Sequence, residues 1–258
     1  MKVSKFLLPL VVLQVSLSAW AIPNTRHRKS QEPLTAQQVA EVVQKLKTFQ
    51  GLNCAFIFDL KTTIGKKTET EEGKFYSQQN TNGVKLRFNF GNRSFLSLGK
   101  SDGEIFCSEQ SVKMTLDTPI WPGHLLNFAD ILMPFLHWNS YGYRDQKRIQ
   151  GRNTHIIRFK ESTGRFVDIA YDPTFEAILR FEYLDEKEKL LRTFKLLNFK
   201  KIQNMWLMKS IEIKDVPSNT TTQLTVKKVA VGQTISVNLF DKNTLGKPPE
   251  DCLNYTNF

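Results

Sequence analysis

A chain of 258 residues with 40% apolar and 24% charged positions has the make-up of a globular protein, with room for one large domain or two small ones. That excludes a miniprotein and excludes disorder as the main state. The formal charge of +11 is scattered rather than blocked, densest at Arg144–Arg148 with Arg152 behind it, and suits anionic headgroups, nucleic acid or plain solvation alike.

Met1–Ala21 carries Lys2 and Lys5, an apolar run from Phe6 to Leu17, and then Ser18-Ala-Trp-Ala21. This reads as a cleaved secretory signal, too short to span a bilayer. No cysteine stands at the cleavage site, so the expected product is exported and not lipid-anchored. Its charge stays basic, since the leader removes only two lysines. Residues 22–34 are polar and aperiodic, a flexible lead-in. Thr35 and Gln38 form a capping box ahead of Val39, Val42, Val43, Leu46 and Phe49, which predicts one amphipathic helix over about 36–49.

From Gly51 the period changes to two. Cys54, Phe56, Phe58 and Leu60 alternate with smaller or polar neighbours, as do Leu86, Phe88 and Phe90. Similar runs at 73–77, 94–98, 104–108, 111–116, 154–160, 165–171, 177–184, 190–199, 205–214 and 222–231 are separated by turn signals such as Thr81-Asn-Gly83 and Ser162-Thr-Gly164. A single, mostly antiparallel domain is expected over 35–247, followed by a tail at 248–258. The exception is Leu125–Trp138, apolar all round apart from Asn127, Asp130, Pro134 and His137. Such a helix must be buried on every side or cover something other than water, and Pro134 should kink or end it. An ordinary core helix and a mobile lid are both consistent with this pattern; Ile131, Leu132, Phe135, Leu136 and Trp138 are the candidate lid residues.

Catalytic chemistry is not legible. Gly99-Lys-Ser101-Asp-Gly103 matches the G-x-S-x-G pattern, but a nucleophile elbow needs a following helix and Glu104-Ile-Phe reads as a strand. Asp102-Gly103 therefore marks a hairpin turn with Ser101 in a structural role. The four histidines are isolated, and no metal, nucleotide or dinucleotide motif is present, so neither cofactor nor metal is expected. Of three cysteines, Cys54 and Cys107 are the expected disulfide pair if one forms, with Cys252 on the tail. Phe, used 19 times against 6 Tyr and 4 Trp, supplies wide dry surface without polar atoms. Period two gathers Phe56, Phe58, Leu86, Phe88, Phe90, Leu179, Phe181, Tyr183, Leu207, Ile211 and Ile213 on one face. Lys85, Arg87, Arg180 and Glu212 then lie in solvent, and Lys209 breaks the pattern. A hydrophobic ligand is the function this surface suggests.

Tyr171-Asp-Pro-Thr-Phe-Glu-Ala-Ile-Leu-Arg180-Phe-Glu-Tyr-Leu-Asp185, Leu190-Leu-Arg-Thr-Phe, Asn198-Phe-Lys-Lys-Ile202, Trp206-Leu-Met-Lys-Ser-Ile211 and Leu239-Phe240 carry a resemblance, best over 165–240. The segment resembles the outer-membrane lipoprotein-sorting proteins, the LolA-like periplasmic carriers. It departs from them in turns and strand edges, at Glu186–Lys189, Asn204 and Met208. The resemblance implies an unclosed antiparallel β-barrel, mainly β with a few helices covering its concave apolar face. It also implies a non-enzymatic periplasmic carrier that holds acyl chains of lipoproteins or lipid, taken from an inner-membrane donor complex and passed to an outer-membrane acceptor. The residues themselves lead to the expectation of no transmembrane span, since no later segment reaches about 18 apolar residues, and of no cofactor and no nucleic acid as partner. The competing reading is a non-catalytic envelope sensor or scaffold of the same fold that binds a protein partner; a hydrolase built on Ser101 is the third.

Overall fold

The computed structural model describes residues 32–48, 53–80, 83–91, 93–98, 105–108, 126–127, 130, 133–202 and 205–258. The leader, Ser101 with its turn, the 111–116 run, and Ile131 and Leu132 of the candidate lid lie outside the described residues.

Helix α1 (Ala36–Thr48) starts where its capping box sets it: Thr35 N–H donates to Gln38 Oε1 at 2.9 Å and Gln38 N–H donates to Thr35 Oγ1 at 3.3 Å. Val39, Val42, Val43 and Leu46 form its buried stripe, while Lys45 and Lys47 complement the carbonyl end.

The strands follow in order as β1 (Cys54–Ile64), β2 (Lys67–Asn80), β3 (Gly83–Phe90), β4 (Arg93–Ser97), β5 (Ile105–Cys107), β6 (Ser140–Ile149), β7 (Arg152–Lys160), β8 (Phe166–Asp172), β9 (Ala177–Leu184), β10 (Leu190–Ile202), β11 (Met205–Asp215), β12 (Thr220–Val231) and β13 (Thr256–Asn257). All described pairings are antiparallel, in the order β5-β4-β3-β2-β1-β12-β11-β10-β9-β8-β7-β6, with β13 added beside β12. The chain thus meanders from β1 out to one edge at β5, crosses to the far edge at β6, and meanders back until β12 pairs with β1. The β5 and β6 edges do not pair with each other, so the sheet is an open half-barrel. Consecutive strands at opposite edges require the connection between them to cross the sheet, and its described residues Leu126, Met133, Phe135, Leu136 and Trp138 lie over one face.

Two expectations are corrected here, and one strand appears that the sequence pattern did not announce. The apolar 125–138 stretch is not a helix through its length: Met133 adopts a left-handed conformation (φ 44°) and Pro134 opens only a 3-10 turn, Pro134–His137. Proline has no N–H to continue a helix and disfavours the right-handed helical conformation in the residue before it. Cys54 and Cys107 are free thiols on β1 and β5, four strand spacings or ~19 Å apart, beyond the ~7 Å reach of a disulfide. Strand β6 was hidden because Tyr143-Arg-Asp-Gln-Lys-Arg148 has no apolar alternation. It is an edge strand, with charges and a bulge near Arg144 that discourage further pairing.

Residues 233–258 run back across the outer face of β1–β4 and β12. Ile235, Leu239, Phe240 and Leu245 bury there against Ala55, Tyr76, Leu96 and Ala230. Arg87, expected in solvent, is 1% exposed beneath this strap. Its guanidinium donates to Leu239 O (3.0 Å), Thr244 Oγ1 (3.1 Å), Thr244 O (3.2 Å), Lys247 O (2.9 Å) and Asn89 Oδ1 (3.1 Å), which uses all of its N–H donors. Alternation placed Arg87 on the outer face correctly. What it could not show is that 150 residues later the chain returns to cover that face, a separation that any window-based pattern misses.

Candidate functional site

The inner face of the sheet carries the main core, shared with α1 and with Leu126, Met133, Phe135 and Leu136 of the crossing segment. Two aromatic groups dominate it. On β1–β3, Phe56 stacks on Phe75 (centroids 5.7 Å apart), Phe75 meets Phe88 (4.8 Å), and Phe58 meets Phe90 edge-on (5.3 Å). Gly73 of β2 makes the last contact feasible, because a Cβ there would lie 2.6 Å from the Phe58 ring. On β7–β10, Phe181 stacks on Phe194 at 4.2 Å and 10°, with Tyr183 and Phe159 beside them. The aliphatic inner residues of β11 and β12, among them Ile213, Leu224 and Val226, join the two groups.

Phe135 lies on the second group like a plug. Its ring is 5.6 Å from Phe159, 5.5 Å from Phe181, 6.1 Å from Tyr183 and 6.5 Å from Trp138, and it is 0% exposed. The crossing segment is tied down by Asp130, whose carboxylate accepts from Asn127 N–H (2.8 Å) while its own N–H donates to Asn127 Oδ1 (2.9 Å), and which pairs with Arg192 of β10 at 2.8 Å. Helix α1 is tied at its C-terminal end by the Lys45–Glu176 pair, 2.7 Å.

Ten of the eleven residues expected on one face are brought together in or against this core: Phe56, Phe58, Leu86, Phe88, Phe90, Phe181, Tyr183, Leu207, Ile211 and Ile213. Leu179 is not. It packs on the outer face with Ile149, Ile156 and Ala170, because β8 pairs Ala170 with Arg180 and Tyr171 with Ile178, leaving Leu179 as the bulged residue. One extra residue inverts the alternation, so Ile178 takes the inner position that Leu179 was given. Phe135, Leu136 and Trp138 do lie over this face. Phe75, Phe159 and Phe194 were missing from the expected set, although each lies in a run with the same period and could have been read from it.

One polar corner interrupts the dry surface. His155 of β7 is 2% exposed, sits directly opposite Tyr171 of β8, and has the Tyr143 ring 6.0 Å away. Burial pushes the imidazole's proton affinity below its ordinary value. Burial, then the charges of Glu176 and Asp172, push the Tyr171 hydroxyl up to about 12. Both side chains are therefore neutral near pH 7. Among the described residues, no group of three or more His, Cys, Asp or Glu is placed to hold a metal, and no helix is long and apolar enough to cross a membrane.

An open antiparallel half-barrel with one main helix and a crossing segment over its apolar inner face defines the class of protein by its fold, and solved structures share it. A LolA superfamily protein from Nitrosomonas europaea aligns with a TM-score of 0.63 at 14% identity, covering 82% of this chain and 100% of its own. A putative outer membrane lipoprotein-sorting protein domain from Vibrio parahaemolyticus aligns with a TM-score of 0.67 at 14% identity, covering 75% and 91%. A DUF1329 family protein from Desulfovibrio piger gives 0.69 at 13% identity, covering 80% and 96%. The likeness is one of fold. A family model described as "Uncharacterized protein" matches residues 121–247, from the crossing segment to the start of the strap. No curated protein matches the sequence.

Proposed function

We propose that the protein is a non-catalytic periplasmic carrier that holds acyl chains of lipoproteins or lipids between the inner face of the sheet and its cover, for transfer toward the outer membrane. The observation that carries this reading is the Phe135 contact. A broad wall of phenyl rings is closed over one of its halves by a four-residue turn whose own ring fills the place an acyl chain would take. Phenyl rings leave no polar atom unpaired whether the place is filled by Phe135 or by a ligand. An acyl chain of ~16 carbons gains on the order of 12 kcal/mol on leaving water, enough to displace such a turn. The export signal read in Met1–Ala21 and the shared fold with a lipoprotein-sorting domain support the compartment and the ligand class. Loading from an inner-membrane donor and delivery to an outer-membrane acceptor complete the reading.

Native mass spectrometry of the protein purified from its own cell envelope tests it. Co-purifying lipid or acylated peptide is the expected result. A single ligand-free mass, with no uptake of added acyl compounds, would favour a scaffold whose inner face is a closed core.

A further inference from the structure

Resting on the carrier reading, we infer that His155 and Tyr171 form the polar end of the acyl site and hydrogen-bond the carbonyl of an ester- or amide-linked acyl group in preference to a free carboxylate. The strand places His155 on the inner face: Ile157 and Phe159, two and four residues on, lie in the inner core, while Ile156 lies in the outer cluster. Tyr171, its direct neighbour across β7 and β8, belongs to the same inner core. The imidazole is nine-tenths and more buried, yet its Nδ1 has no hydrogen-bond partner. A buried polar nitrogen without a partner is costly, and one kept on the inner face beside the aromatic wall is suited to a polar group that arrives with a ligand.

The electrostatics select what that group is. Neutral imidazole and phenol can each donate one hydrogen bond to a carbonyl oxygen. Burial is the main cause that raises Tyr171, ahead of Glu176 and Asp172, which are themselves paired with Lys45 and Arg152. A carboxylate entering this corner would lose its water in the same dry surroundings, whereas an ester or amide carbonyl carries no charge to desolvate. The apolar tail attached to such a carbonyl has the adjoining wall of Ile157, Phe159 and Phe181 to run along. No bond is made or broken; the corner reads the linkage and the wall holds the tail.

The test uses the whole protein with the apolar fluorophore N-phenylnaphthylamine bound, displaced either by monopalmitoylglycerol, an ester, or by palmitate, a carboxylate with the same tail. Wild type should prefer the ester. His155→Phe should lose ester affinity by roughly five- to tenfold, the scale of one net hydrogen bond, with fluorophore and palmitate affinities unchanged. Tyr171→Phe, which removes a single oxygen, should move the same way and decides the matter if His155→Phe fails to fold. Equal affinity for both compounds in wild type, or unchanged ester affinity in the variants, overturns the assignment of the corner and leaves the carrier reading standing. Failure of wild type to bind the fluorophore or either acyl compound overturns both.

Discussion

On the outer side of β1–β4 the strap at 233–258 is held by directional contacts: Arg87 donates into it at Leu239, Thr244 and Lys247, and Tyr76 O–H donates to Asp251 at 2.6 Å. On the inner side of β7–β10 the cover is held mostly by ring contacts around Phe135, with the Asp130–Arg192 and Lys45–Glu176 pairs at its ends. Lifting the strap would give up all the hydrogen bonds of Arg87 to it at once and expose Ile235, Leu239, Phe240 and Leu245 as well, whereas lifting the Phe135 turn exposes mainly apolar surface that another apolar group can cover again. Covers locked by hydrogen bonds stay shut; covers held by apolar contact can be exchanged for a ligand. The fold puts one cover held largely by hydrogen bonds and one held largely by apolar contact on opposite faces of the same sheet.

The strap depends most on Arg87. Burial lowers its proton affinity, yet it stays charged, so Arg87→Ala leaves the strap carbonyls unpaired and should cost ~3–5 kcal/mol in urea unfolding. Hydrogen exchange should then show 233–258 exposed. A loss within the ordinary surface range would remove the lock from the account.

A matched pair of truncations sharpens the other side. Phe181→Ala deletes a ring from the sheet and should cost ~3–5 kcal/mol. Phe135→Ala should cost clearly less, because a cover that opens locally limits the penalty to its own opening free energy. Equal losses would make Phe135 plain core.

A smaller effect belongs to His155. Its folded proton affinity is lowered, so the unfolded chain takes up the proton first as the pH falls. The stabilisation is complete above the unfolded value of about 6.5 and is lost below it, with a slope approaching about 1.4 kcal/mol per pH unit. Subtracting the pH–stability curve of His155→Phe from that of wild type isolates this group; a flat difference between pH 5 and 7, on the scale of about that slope, would show that the imidazole is solvated. Smallest of all, Leu179→Ala should leave acyl affinity unchanged while Ile178→Ala weakens it, as measured by fluorophore displacement.

Much of the sheet was legible because period-two alternation and turn residues act over a few positions. The capping box fixed the start of α1, and the faces of β1, β3 and β11 follow from Phe56, Leu86 and Leu207. What was not legible depends on partners far away in the chain. The bulge that turns Leu179 outward is defined only by pairing with β8, and the burial of Arg87 only by the return of the strap. Strand β6, whose charged middle shows no alternation between Tyr143 and Ile149, is a strand because β7 pairs with it. The crossing segment was located correctly by its composition and given the wrong form, since composition does not show that Met133 turns left-handed before Pro134.

Whether the Phe135 turn is an exchangeable cover is tested by Leu136→Ala on one protein by two readings: stability without ligand, and acyl affinity. Leu136 is 3% exposed in the shared core, so ordinary core packing would make its truncation cost ~2–5 kcal/mol. An exchangeable cover should lose less than ~1.5 kcal/mol, limited by local opening, together with a marked change in acyl affinity. A loss of ~2–5 kcal/mol with affinity unchanged in the remaining folded protein would contradict it.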